Sequence, residues 1–352
     1  MVGILLFGSA IFPAQAAFTS LYIFGDGLST TTDPGAPGGP YFYGQRWSNG
    51  RVWVEVLAQR LGLTYDTNKN NSYYYHTSSD LVTEIKSFSA PSDVTNDLFI
   101  VWVCNADTFD AAQVPDNSNQ WVVANNLSQT NHLQIITNLY AKGVRTLILP
   151  NAVDISKIPA FNASSLTNVM RNGCVDYNTK FSNTIIQARA LCPSLTIYTL
   201  DFFTLLNNVL TNAAFYGLTN VLSSRGFSID AYNDPSIHNL TLNGPGTNYI
   251  FWDPQDPTAK FHAVIADITQ QLISPVRISQ ITSLNGSNQL DVINVPIGQN
   301  GFVDGSTNLV PVNWTTVTNF NSTNTTQTVF VPASDSPQMF YRLRFPYTWT
   351  WP

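Results

Sequence analysis

The nine residues Leu21-Tyr22-Ile23-Phe24-Gly25-Asp26-Gly27-Leu28-Ser29 decide how this chain folds. A compact apolar run over 20–24 stops at Gly-Asp-Gly, as a buried strand does when it ends in a tight turn. Working outward, the runs at 98–103, 146–149 and 195–200 have the same character. Between and after them the spacing predicts helices over 51–61, 121–142, 166–191, 202–215 and 258–272, the last closed by Pro275. Strands separated by helices imply a doubly wound parallel α/β sheet with helices on both faces. Such sheets place their ligands at the carboxyl ends of the strands. The turns after Phe24 and Val103 are therefore where a site is expected.

Beyond Val276 the pattern changes. Short β-like runs such as LDVINV, QTVFV and FYRLRF alternate with Gly, Asn, Ser and Pro, with no helical periodicity. The chain divides on this reading into residues 18–275, an α/β domain, and 277–352, a small all-β module of β-sandwich type. Residues 1–17 carry an apolar run over 2–12 followed by Ala14-Gln15-Ala16, a small-x-small cleavage pattern. They predict a signal peptide and a secreted, extracellular or periplasmic product. The run is too short to span a bilayer, and no later stretch predicts a membrane span.

Only 11% of the 352 residues are charged, and the net charge is −6. Without clustered Lys and Arg the chain has no electrostatic footprint for nucleic acid. Cys104, Cys174 and Cys192 show no zinc-site spacing, and no cofactor motif occurs. In an oxidising compartment Cys174 and Cys192 have the option of pairing, leaving Cys104 over; three small buried hydrophobes is the equally open alternative.

The opening stretch resembles block I of the SGNH/GDSL hydrolases, where a strand ends in Gly-Asp-Ser-Leu-Ser. Arg46-Trp47-Ser48-Asn49-Gly50-Arg51-Val52-Trp53-Val54-Glu55 is similar to the family's approach to its first helix. Asp201-Phe202-Phe203 and Ala214-Phe215-Tyr216-Gly217 resemble its segment before the last block, and Trp252-Asp253-Pro254-Gln255-Asp256-Pro257-Thr258 resembles block V. The resemblance covers about residues 19–273. It implies a flavodoxin-like three-layer sandwich and ester hydrolysis by a Ser-His-Asp triad with an oxyanion hole.

The parts that carry this chemistry are replaced. The nucleophile position is Gly27, the oxyanion Asn is Ala106 within Cys104-Asn105-Ala106-Asp107, and the base is Asp256. Block II falls near Tyr74-Tyr75-His76, without its Gly. Only Asp253, which would orient the missing His, survives. Ser29 and His262 are read as structural, and Cys104 has no His placed to activate it. Asp26, Asp107, Asp253 and Asp256, with Asn105 and His76, would converge on one rim if the family fold holds. Such carboxylates raise one another's pKa or bind a hard cation; the competing reading has Asp26 and Asp107 capping loops and helix starts. Three functions follow: a non-hydrolysing binder of a carbohydrate or acylated polymer, an ester hydrolase with a rearranged site, or a structural cell-surface protein. The 15 Tyr and 8 Trp lean toward stacking on glycans.

Overall fold

The computed structural model describes residues 18–114, 118–347 and 349–352; the segment 1–17, where the sequence places a signal peptide, lies outside them. Four parallel strands form the central sheet in the order β1 (Leu21–Gly25), β2 (Leu98–Trp102), β3 (Thr146–Ile148), β4 (Thr196–Tyr198). Asn70 makes one further parallel bridge to Ile23 on the free side of β1, where Asn71 N donates to Ile23 O at 2.8 Å. The chain thus leaves β1 toward one side, at Asn70, and returns to the other side as β2. This reversal is the switch point at which α/β sheets open a crevice.

Every side chain of β2 is buried, as expected of a strand covered on both faces. On one face Trp53, from α1 (Trp53–Arg60), meets Trp102 edge to face at 5.5 Å. α1 packs there with α7 (Ala259–Ile273). On the other face Phe88, just past α2 (Ser78–Ser87), packs against Tyr22, Phe24 and Phe99. α2 contacts α4 (Ser118–Ala141), which contacts α3 (Cys104–Ala112) and α5 (Thr167–Leu191). The result is the three-layer, doubly wound sandwich expected, with α6 (Phe202–Thr211) joining Trp102 to Phe261 through Phe202.

Two helices went unread in the sequence. α2 is ten residues long and opens with a reciprocal cap, in which Thr77 and Asp80 satisfy each other's backbone N–H. α3 begins at Cys104, directly after Val103, so the expected loop there is the first turn of a helix. The helix expected over 202–215 ends at Thr211, and Ala213–Tyr216 continues as a 3₁₀ turn closed by Gly217 in the left-handed conformation (φ 69°). Cys104, Cys174 and Cys192 are buried and free. No helix among the described residues is long and apolar enough to cross a membrane.

From Arg277 onward two three-stranded antiparallel sheets pack around Leu290, Val292, Val295, Val303, Val329 and Val331. They are β5 (Arg277–Leu284), β6 (Ser287–Ile293) and β9 (Thr326–Pro332), and β10 (Phe340–Arg344), β7 (Asn300–Ser306) and β8 (Thr315–Asn321). The chain then runs back along the α/β domain. Tyr347 and Trp349 pack on its core, and the Trp351 indole donates to Asn49 O at 3.0 Å.

Candidate functional site

Parallel register sets Gly25 beside Trp102, and Asp26 N donates to Trp102 O at 2.9 Å. The turn after β1 and the start of α3 therefore lie side by side. Asp26 Oδ1 caps the 3₁₀ turn Gly27–Ser29 by accepting from Leu28 N at 3.1 Å. The block V loop closes the opposite wall, where Asp253 Oδ1 accepts from Gln255 N and Asp256 N. Asp26, Gly27, Asn105, Ala106 and Asp256 thus surround one cleft. Tyr74 lies over Gly27 and its hydroxyl donates to Gln255 Oε1 at 3.2 Å, bridging the rim.

The rest of the wall is apolar, from Phe109 of α3, Ile155 and Ile158 of the loop after β3, Phe202 and Leu206 of α6, and Phe251 and Phe261. Each of these residues reads in the sequence as ordinary core, because it faces both its own element and the cleft. The cleft spans about 690 Å³ with its open mouth counted, of which about 80 Å³ is free to the centre of a water-sized sphere. That is room for roughly five to eight such positions, or one slender chain or ring.

The other expected residues turn away from this cleft. Ser29 Oγ accepts from the Trp53 indole at 3.0 Å, and its carbonyl takes a bond from Asn70, so it locks the turn. His76 is not on the rim: its Nδ1 meets Gly25 O at 3.1 Å, Nε2 faces Glu84 at 3.3 Å, and its ring stacks on Tyr73. Asp107 also leaves the rim, accepting from Ser78 N at 3.0 Å and from the Ser128 hydroxyl. Cys104 lies behind the wall with its thiol toward Pro150 O, its pKa driven up by burial. His262, buried within α7, is pushed down to about 3 by desolvation and is neutral at pH 7. The convergence of four carboxylates with His76 is therefore corrected to a pair, Asp26 and Asp256, with Asp253 behind the second. No group of three or more His, Cys, Asp or Glu suited to a metal ion occurs among the described residues.

Burial sets the charge of these carboxyls. Desolvation raises Asp26 to about 7 against the help of Leu28 N, and Asp107 adds repulsion. Asp256 is raised well above its ordinary value by burial, then by Asp253 and Asp26. Asp253 is pushed up to about 6, mainly by burial. The Asn105 amide stands near enough to favour the Asp26 charge, yet neither Asp26 Oδ2 nor Asn105 Nδ2 has a partner at hydrogen-bond length.

A stability prediction follows. In the unfolded chain these carboxyls lose their protons near pH 3.8, whereas Asp26, Asp253 and Asp267 hold theirs to between about 6 and 7. Across that window these three carboxyls bind more protons in the folded state, so stability falls as pH rises, offset only in part by His262, which is neutral when folded. The melting temperature is expected to be several degrees higher at pH 5 than at pH 8. Calorimetry showing the reverse would mean that these carboxyls are ionised and solvated in the folded protein.

The family model of the GDSL-like lipases/acylhydrolases matches residues 21–269. A GDSL esterase/lipase of Arabidopsis thaliana is 24% identical over 210 residues, 54% of this chain and 53% of the relative. The chain thus spans about half the length of that protein. Among solved structures, a catalytic mutant of an acetylxylan esterase from Geobacillus stearothermophilus aligns with a TM-score of 0.46 and 13% identity, over 74% of this chain and 96% of its own. An alpha/beta hydrolase enzyme from the metagenome of Lake Arreo, Spain, aligns with a TM-score of 0.44 and 15% identity, over 74% and 97%.

Proposed function

This chain belongs to the GDSL-like lipase/acylhydrolase family, and we propose that it is an exported, non-hydrolysing member that holds an acylated carbohydrate or other acylated polymer by its acyl group. One observation carries the reading: no Ser, Thr, Cys or His lines the cleft among the described residues. Ester hydrolysis by the family's chemistry needs a nucleophile whose proton a neighbouring base removes. Gly27 has no oxygen to offer, and where the family has its His base stands Asp256, a carboxyl that burial pushes well above its ordinary range. Ala106 has no donor for an oxyanion, a contribution worth about 10²–10³ in rate where it is measured. What remains is a narrow, apolar slot, which suits a short acyl chain better than a bare sugar ring with its hydroxyls.

The test uses one compound for both halves of the proposal. p-Nitrophenyl butyrate should show saturable binding by ligand-observed NMR while releasing p-nitrophenol at the buffer rate. A fluorophosphonate probe should leave the protein unlabelled. Turnover above background that Ser29→Ala or His262→Ala abolishes would overturn the reading and locate a rebuilt site.

A further inference from the structure

Asp26 and Asp256 are 4% and 5% exposed, and both face the cleft. No Lys, Arg or His lines it among the described residues. Elsewhere buried carboxyls are compensated in one of two ways: Asp267 has Arg60, Asp154 has Arg171, and Asp304 has Arg342 and Arg344, while Asp33, Asp97, Asp230 and Asp234 accept hydrogen bonds from neutral donors. Here the two carboxyls line one cleft and repel each other, and Asp26 Oδ2 has no donor at hydrogen-bond length, the Asn105 amide standing just beyond it. An uncompensated buried carboxyl pair is costly to keep. The same cleft is lined by Tyr74, Phe202, Phe251 and Phe261, rings of the kind whose faces attract cations.

Resting on the reading of the cleft as a ligand site, we infer that its ligand carries a primary ammonium group beside the apolar arm, the ammonium set between Asp26 and Asp256. A primary ammonium brings three N–H donors. It supplies both the missing charge and the donor that Asp26 Oδ2 lacks. A neutral hydroxyl would supply only the donor, and a quaternary ammonium only the charge.

The test compares benzylamine, benzyl alcohol and benzyltrimethylammonium by calorimetric titration of the full chain. At pH 8 benzylamine should bind about tenfold or more tighter than benzyl alcohol, and tighter than benzyltrimethylammonium. Asp256→Asn should shrink the amine-to-alcohol ratio to about twofold or less. Cation binding favours the ionised pair, so benzylamine should release protons on binding and weaken as pH falls from 8 to 5.5. The groups facing the pair are Asp107 and Cys104 behind Asp26, Asp253 and Asp230 behind Asp256, and Tyr74 above them. None of these supplies a positive charge that would reverse the trend. Proton release is read on the wild type, so it decides the matter even if the substituted protein misfolds. Equal binding of benzyl alcohol, or no proton release, overturns the ammonium and leaves the non-hydrolysing reading standing. Ester turnover overturns that reading and leaves the amine comparison intact. Failure of all three compounds to bind overturns both.

Discussion

Gly27→Ser alone is expected to leave p-nitrophenyl butyrate hydrolysis at background, whereas Gly27→Ser, Ala106→Asn and Asp256→His together raise it about a hundredfold or more. The cleft has room for the first change: a Cβ at residue 27 would come no closer than 3.4 Å to Tyr74 Cδ2, an ordinary contact, and the backbone there is not left-handed. A serine hydroxyl there is nevertheless inert without a base, because triad members act as a unit. Residue 256 is the place for that base, since its carboxyl already interacts with that of Asp253, the one surviving orienter. Ala106→Asn returns an oxyanion donor on the first turn of α3. Initial rates decide the question, and a fluorophosphonate should label the triple variant alone. Full activity from the single change would place a working base somewhere other than residue 256. A folded triple variant without labelling would show that the cleft has lost the family's geometry as well as its side chains.

The residues that define this site were legible in the sequence because their order follows chain order: the strand ending at Gly25, then Cys104-Asn105-Ala106-Asp107, then the block V loop. Which way each side chain points was not legible. Asp107 and Ala106 are neighbours in sequence, yet on the first turn of a helix they project about 100° apart, and Ser78 and Ser128 draw the Asp107 carboxylate inward. His76 is captured by Gly25 O and Tyr73 because the chain crosses there beside β1. Apart from Tyr73, three residues from His76, these partners lie 21 to 51 residues away in sequence, beyond any local pattern. The same holds for the cleft walls, since Phe202, Phe251 and Phe261 have the spacing of core residues wherever they point. The edge strand was lost for a different reason. It is a single bridge at Asn70, too short to leave an alternating pattern.

Arg60→Ala is expected to destabilise the protein by about 3–5 kcal/mol. The guanidinium is 6% exposed, its Nε donates to Asp267 Oδ1 of α7 at 2.7 Å, and a second nitrogen donates to Ile297 O at 2.9 Å. Its own carbonyl accepts from Ile297 N at 3.2 Å, so one residue joins α1, α7 and the loop between β6 and β7. Truncation leaves Asp267 buried without its cation. Burial already lifts that carboxyl to about 6 against the pull of Arg60, and loss of the pull lifts it further. The sign of the pH effect is then fixed. Below its folded pKa Asp267 is neutral and costs little, while above it an unpaired charge must be buried or the site must open. The destabilisation measured by urea unfolding should therefore be smaller at pH 5 than at pH 8. Arg60→Met with Asp267→Leu, which removes both charges and fills similar volume, should recover most of the loss, as buried pairs replaced by apolar groups do. A cost for Arg60→Ala that is independent of pH and unrelieved by the double change would assign the effect to the Ile297 hydrogen bond and packing. The electrostatic account of this junction between the α/β domain and the β module would then fail.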